Sequence, residues 1–339
     1  MNELRKGRQS IVFPNYPSIA ASAAVAGKKE GKGPLRADFD QIAADTKLGQ
    51  ASWEKAESKM VQISVGQALS KGNFEADQID MAFAGDLLNK CIGSVYGLRD
   101  LGIPFVGLYG ACSTMAESLA LAALFVDTSI AKKALAVTSS HFCSAERQFR
   151  FPLEYGGQRP PTAQWTVTGS GACVVGESDA APFVRAVTLG CIEDLGIKDA
   201  NNMGAAMAWA AYDTISQHFQ DTNRSSSFYD LIVTGDLGKL GMEIVIDLFA
   251  ADGIELRGNY SDCGVMLFDL EGQDVHCGAS GCGCAASVLT GYLLNGMRAG
   301  KWRNLLFCAT GALHSPTSLG QGESIPGICH AVAISTKKG

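Results

Sequence analysis

Two short apolar runs along the chain are each closed by Gly-Asp. Residues 79–86 read Ile-Asp-Met-Ala-Phe-Ala-Gly-Asp, and residues 229–236 read Tyr-Asp-Leu-Ile-Val-Thr-Gly-Asp. An apolar run of this length predicts a buried strand, and its Gly-Asp a turn. A second pair of segments repeats in the same order. Residues 110–138 run Gly-Ala-Cys112-Ser-Thr, an Ala/Leu-rich helix, Lys-Lys, then a strand from Ala134. Residues 280–308 run Ser-Gly-Cys282-Gly-Cys284, an Ala/Leu-rich helix, Lys-Trp-Arg, then a strand from Asn304. Cys112 and Cys282 fall at matching places. Late apolar strands, Gly171–Gly176 and His330–Ser335, make a third pair. Three pairs in one order predict a duplicated α/β unit. Its halves are 1–180 and 181–339, with the matched segments beginning near 50 and near 185. Alternating helices and strands imply mixed sheets covered by helices.

The segment 139–168 has no counterpart in the second half. It carries Arg147, Arg150, Pro152, Tyr155, Arg159, Pro160 and Pro161. A long insertion in a compact unit is usually functional or an interface. Ala26–Pro34, rich in Gly and Lys, reads as an exposed, mobile loop.

Composition narrows the classes. The 339 residues are 47% hydrophobic, enough for a large core. The net charge of −6 argues against nucleic acid as a partner. Eleven cysteines, an odd number without disulfide-like spacing, point to reduced thiols in a reducing compartment. No apolar run reaches the roughly 18–20 residues of a membrane span. Pro14, Asn15 and Pro17 interrupt the stretch after the basic N-terminus, so no signal peptide is read. Membrane association would be peripheral or through partners.

Cys112 is the first chemical candidate. It sits between Gly107 and Gly110 on one side and a long apolar helix on the other. A thiol at a helix N-terminus feels the positive end of the helix dipole, which lowers its pKa and favours thiolate. A structural cysteine in a small-residue turn fits the same residues. His141 and His314 each follow a predicted core strand, one in each half, where such sheets place ligands. Asp86 and Asp236 fit two roles: capping the following helix, or lining a central site from both halves. Cys277, Cys282 and Cys284 with His276 resemble a metal site, but zinc ligands usually come in Cys-x₂₋₄-Cys pairs and here a Cys-x-Cys spacing sits in a turn entering a helix, so no metal site is assigned. Gly169-Ser-Gly171 leads into a strand rather than a helix and is not a dinucleotide fingerprint. No cofactor is implied.

Gly-Ala-Cys112-Ser-Thr with its helix, the strand Gly169-Ser-Gly-Ala-Cys-Val-Val and the helix start Ala285-Ala-Ser resemble the ketoacyl synthase III branch of the thiolase superfamily. The resemblance implies a five-layered αβαβα fold of two α/β halves. More closely, the whole chain resembles the stage V sporulation protein AD family of spore-forming bacteria. That family is thiolase-like and implicated in binding and uptake of dipicolinic acid. Ketoacyl synthases pair the cysteine with a histidine and an asparagine. Here Gly235 stands at the histidine position, and Cys282 or Gly283 at the asparagine position. Losing one oxyanion-hole donor costs about 10²–10³ in rate. Asp236 would further oppose a developing negative charge.

The resemblance therefore implies a non-catalytic binding protein for dipicolinic acid or its calcium chelate. The helix N-termini near Cys112 and Cys284 would offer N–H groups to an anion. The ligand set read on this basis is Cys112, Ser113, Asp86, Asp236, His141, His314, Ser140 and Cys282. Asp86 and Asp236 suit a dianion only if protonated, paired or bridged by Ca²⁺. The resemblance also implies a homodimer, other proteins of the SpoVA membrane complex as partners, and peripheral association with the spore inner membrane. Two other functions stay open: an acyltransferase still using Cys112, and a structural member of a membrane complex with a vestigial pocket.

Overall fold

The Gly-Asp runs become buried parallel strands, and the rest of each half is built around them. The computed structural model describes residues 4–149, 158–256 and 258–338. In the first half the strand order is Phe105–Gly107, Met81–Gly85, Lys133–Ser140, Gly169–Gly176, Ser18–Ala26. In the second it is Tyr260–Asp262, Leu231–Thr234, Asn304–Ala312, Gly327–Ser335, Phe183–Leu189. The pairing directions match strand for strand. The first three strands of each set are mutually parallel, and the next two joins are antiparallel. One Cα pair, Ser18 with Phe183, links the two half-sheets. The matched region of the first half thus begins at Ser18, well before residue 50. Its opening strand, Ser-Ile-Ala-Ala-Ser-Ala-Ala-Val-Ala, carries none of the motifs that revealed the repeat.

The outer helices obey the same symmetry. Trp53–Gly72 starts at Ser52, whose side chain accepts from the Lys55 N–H, and ends at Asn73 in the left-handed region. Met203–Thr222 starts at Asn202, which accepts from the Ala205 N–H, and ends at Asn223, also left-handed. Asparagine is among the few residues that tolerate this conformation at a helix end. These helices, with Ile92–Leu98 and Gly238–Ala251, cover the outer faces.

The middle layer holds Thr114–Asp127 and the helical run Cys282–Ser287, Val288–Leu293, Leu294–Arg298. Thr114–Asp127 packs against strands of both half-sheets. The start of the second run, from Cys282 to Ser287, is buried on every side, as a helix between two sheets must be. Its small residues let it pass close over the sheet. A Cβ on Gly171 would run into the backbone of Ala286. The result is the αβαβα layering.

Two segments differ from their sequence reading. Residues 139–168 are not a plain loop. They include the end of a core strand, the helix Phe142–Phe149 and the short strand Trp165–Thr166, which pairs in parallel with Ala279–Ser280. Arg147 pairs with Glu54, and Arg159 with Asp274. Arg150, Pro152 and Tyr155 lie outside the described residues. Ala26–Pro34 is largely anchored. The Glu30 carboxylate is buried and accepts the Thr168 N–H at 3.0 Å, and Lys29 sits 3.6 Å over the Trp165 ring. The sequence shows Glu30 among the lysines but not its burial, which ties the loop down.

Candidate functional site

The Cys112 turn is held tightly. Ala111 sits in the left-handed region at φ 51°, a conformation that costs a non-glycine residue about 1 kcal/mol or more and persists only where neighbours enforce it. The neighbours are visible. Ser113 Oγ donates to the Gly110 carbonyl at 2.7 Å, Thr114 Oγ1 to the Ala111 carbonyl at 2.7 Å, and Cys282 Sγ to the same Ala111 carbonyl at 3.0 Å. The turn leads directly into the helix Thr114–Asp127.

Cys112 forms the floor of a cavity of about 260 Å³ and is 8% exposed. Leu87, Tyr109 and Phe149 give it apolar walls from the first half. Met203, Ala312 and Leu313 complete them from the second. The polar positions are Glu146, Thr166, Ser280, His314 and Ser315. Thr166 Oγ1 donates to Glu146 Oε1 at 2.6 Å, and the His314 ring lies 5.9 Å from that of Phe149. Among the described residues, no lysine or arginine lines the cavity.

Behind Cys112 and Ser280 lies Asp236, fully buried. Its carboxylate accepts Ser280 Oγ at 2.9 Å, the Gly281 N–H at 3.0 Å and Thr310 Oγ1 at 2.7 Å. Burial raises its pKa, and these donors oppose the rise. Asp262 supports the turn from beneath by accepting Thr234 Oγ1 and the N–H groups of Leu237 and Gly238 at 2.7–2.9 Å. Burial, with a smaller contribution from the Asp236 charge, lifts Asp262 to about 7.

This environment reverses the expectation of a thiolate. Burial, then the charges of Asp236 and Cys282, push the Cys112 thiol well above its ordinary value of 9.0. A dipole at the helix end does not offset an apolar shell and a neighbouring carboxylate. Alkylation of Cys112 by iodoacetamide, followed by intact mass, is therefore expected to be slow at neutral pH. Its rate should keep climbing past the ordinary thiol value of 9.0, because thiolate appears only above the raised pKa. A rate that levels off by about pH 7, as for an activated cysteine, would contradict this environment.

The remaining sequence candidates are placed as follows. His314 reaches the cavity with Cys112. Asp86 does not line it. Its carboxylate accepts the Leu88 N–H and both the N–H and Oγ of Ser94, so it closes the turn into Ile92–Leu98. His141 is buried. Its Nδ1 accepts the Cys143 N–H at 3.2 Å, which leaves Nε2 to donate to the Thr46 carbonyl at 2.7 Å. Ser140 Oγ donates to the Val167 carbonyl and accepts the Gly283 N–H, joining the two halves. Ser113 and Cys282 hold the turn from behind. Glu146, Thr166 and Ser280 were not singled out from the sequence. The signal for the first two was the unmatched segment 139–168. Ser280 had only its place beside Cys282.

Two pseudo-symmetric half-sheets, a strained cysteine turn at the head of a central helix and a cavity above it define a thiolase-fold protein of the ketoacyl synthase III type. Solved structures agree on the fold. The OleA E117D structure from Xanthomonas campestris aligns with a TM-score of 0.63 at 14% identity, over 96% of this chain and 97% of that one. The 3-oxoacyl-[acyl-carrier-protein] synthase III of Aquifex aeolicus VF5 aligns with a TM-score of 0.59 at 11% identity, over 94% and 99%. The chain itself belongs to the stage V sporulation protein AD family, whose model matches residues 7–335. It is 45% identical over 328 residues to Stage V sporulation protein AD of Bacillus subtilis (strain 168), covering 97% of each chain. It is a sporulation protein with a ketoacyl synthase III-like fold. No helix among the described residues is long and apolar enough to cross a membrane.

Proposed function

We propose that the chain binds dipicolinic acid in the cavity over Cys112 and carries out no condensation there. The observation that carries this reading is the neighbour of the thiol. It is a buried carboxylate, Asp236, where condensation needs a base and oxyanion donors. Burial, and after it the Asp236 charge, raises the thiol's pKa and so disfavours thiolate, and a thiol is a poor nucleophile. The cavity size fits a single substituted ring. An apolar cavity of about 150 Å³ already takes up benzene, and this one is about 260 Å³.

The lining also bears on the ligand's form. Glu146, Thr166, Ser280 and Ser315 bring side-chain oxygens to the cavity, and calcium takes oxygen ligands, carboxylates above all. The calcium chelate is therefore the preferred form. Delivery to a spore membrane would place the protein against the inner membrane with other SpoVA proteins, as a homodimer, in keeping with its family.

Calorimetry on the full chain tests the binding. The chelate is expected to bind more tightly than free dipicolinate, and His314→Ala or Cys112→Ala to weaken it about tenfold, or 1.4 kcal/mol. No heat with either form at millimolar ligand would leave the scaffold function instead. A stoichiometric acyl adduct from acyl-thioesters, lost in Cys112→Ala, would restore the acyltransferase reading.

A further inference from the structure

A second cleft lies at the other end of the strand Asn304–Ala312. The Cys112 cavity is walled by Ala312, whereas this cleft is lined by Asn304. At about 3.4 Å per residue the two are separated by about 27 Å of strand. The cleft encloses about 160 Å³, roughly five times the volume a water molecule occupies in the liquid.

Three arginines from distant parts of the chain line it: Arg185, Arg224 and Arg303. Arg185 is on the strand Phe183–Leu189, Arg224 follows the left-handed cap Asn223, and Arg303 precedes Asn304. None has a carboxylate within ion-pair distance among the described residues. The nearby acid, Asp230, is engaged by the backbone N–H groups of Arg303 and Asn304 at 2.7 and 2.8 Å.

Aromatic faces hold two of the cations. Arg185 lies 4.4 Å over the Tyr16 ring and Arg224 4.2 Å over the Phe228 ring. Stacking fixes a guanidinium without using its N–H groups, of which one on Arg224 donates to Tyr229 Oη at 3.4 Å. The Arg185 Nε is buried and has no hydrogen-bond partner. A terminal N–H of the same guanidinium donates to the Lys337 carbonyl at 2.8 Å. Burial lowers the Arg185 pKa, and the charge of Arg224 adds to that. Three like charges converge, and among the described residues no carboxylate pairs with any of them.

We propose that this cleft is a phosphate-binding site, separate from the Cys112 cavity. Guanidinium forks match the oxygens of a phosphate group, and charge-assisted bonds of this kind are about twice as strong as neutral ones. The phosphate could belong to a free phosphate or phosphate ester, or to a lipid headgroup. These share one recognition chemistry and are separable by experiment.

The test uses the full chain at fixed ionic strength, titrated with sodium phosphate against a sodium chloride control. Saturable binding is expected, weakened about tenfold or more in the double variant Arg224→Gln/Arg303→Gln. The variant's melting temperature in the absence of phosphate reports whether it still folds. Sedimentation with phosphatidylcholine vesicles, with and without phosphatidic acid, identifies the source. Pelleting that depends on phosphatidic acid and is lost in the double variant assigns a headgroup. Phosphate binding without pelleting assigns a free phosphate group. Absence of both saturable phosphate binding up to about 10 mM and lipid-dependent pelleting would overturn the site. So would affinity unchanged in a folded double variant.

Discussion

Gly235→His is expected to destabilise the protein by about 3 kcal/mol and to yield no condensing activity. The substitution would place a histidine at the position that the resemblance matches to the histidine of ketoacyl synthases. The strand Asn304–Ala312 forbids it. A Cβ on Gly235 would stand 2.9 Å from Ala309 Cα and 3.0 Å from the Thr310 nitrogen, both backbone atoms of the core. Neither can move without disturbing the pairing of that strand with Gly327–Ser335. Of the two residues that the resemblance sets at the asparagine position, Cys282 and Gly283, the glycine is closed in the same manner. A Cβ on Gly283 would meet the Gly169 carbonyl at 2.6 Å and Ser140 Oγ at 2.7 Å. Urea denaturation of the variant decides the matter. A stability within about 1 kcal/mol of the wild type, the scale of a tolerated core change, would show that the backbone yields. The packing around Gly235 and Gly283 thus leaves no room for a larger side chain at either position.

Asp236→Ala is expected to cost about 4 kcal/mol, since each buried donor left without a partner costs about 1–3 kcal/mol. Ser280 Oγ, the Gly281 N–H and Thr310 Oγ1 all lose their acceptor together. Asp236→Asn keeps one carbonyl oxygen and should cost clearly less. It should also speed Cys112 alkylation at pH 8 by about tenfold, because removing the carboxylate charge lowers the thiol pKa. Denaturation curves read the first effect and intact mass the second. Equal stability loss in Ala and Asn would show that the hydrogen bonds are not what matters. Unchanged alkylation in Asn would remove Asp236 as a cause of the thiol's inertness. This acid is therefore a positioning residue for the cavity floor, and its loss would act on ligand binding through Ser280 and Cys112.

Much of the fold was legible because it rests on short-range pattern. The runs ending at Asp86 and Asp236 are strands because an unbroken apolar stretch of that length must be buried. Cys112 and Cys282 mark the heads of the central helices because small residues are needed where a turn meets two sheets. The opening strand Ser18–Ala26 escaped notice. Its alanines and serines give no periodicity, and its place was set by pairing with Gly169–Gly176, about 150 residues away.

The site was legible only in part, for a related reason. Asp86 and Asp236 end equivalent strands and look alike in sequence. One bonds the next helix's Ser94, while the other receives Ser280, Gly281 and Thr310 from remote segments. His141 and His314 also follow equivalent strands. One is buried against Thr46, and the other reaches the cavity. The sequence by itself determined the duplicated architecture and the cysteine turn. Tertiary structure alone decided which acid lies beside the thiol, which histidine lines its cavity, that burial raises the thiol's pKa, and that the backbone crowds Gly235. Those outcomes depend on burial and on contacts between residues far apart in the chain, where desolvation and backbone crowding outweigh the local preferences that a sequence records.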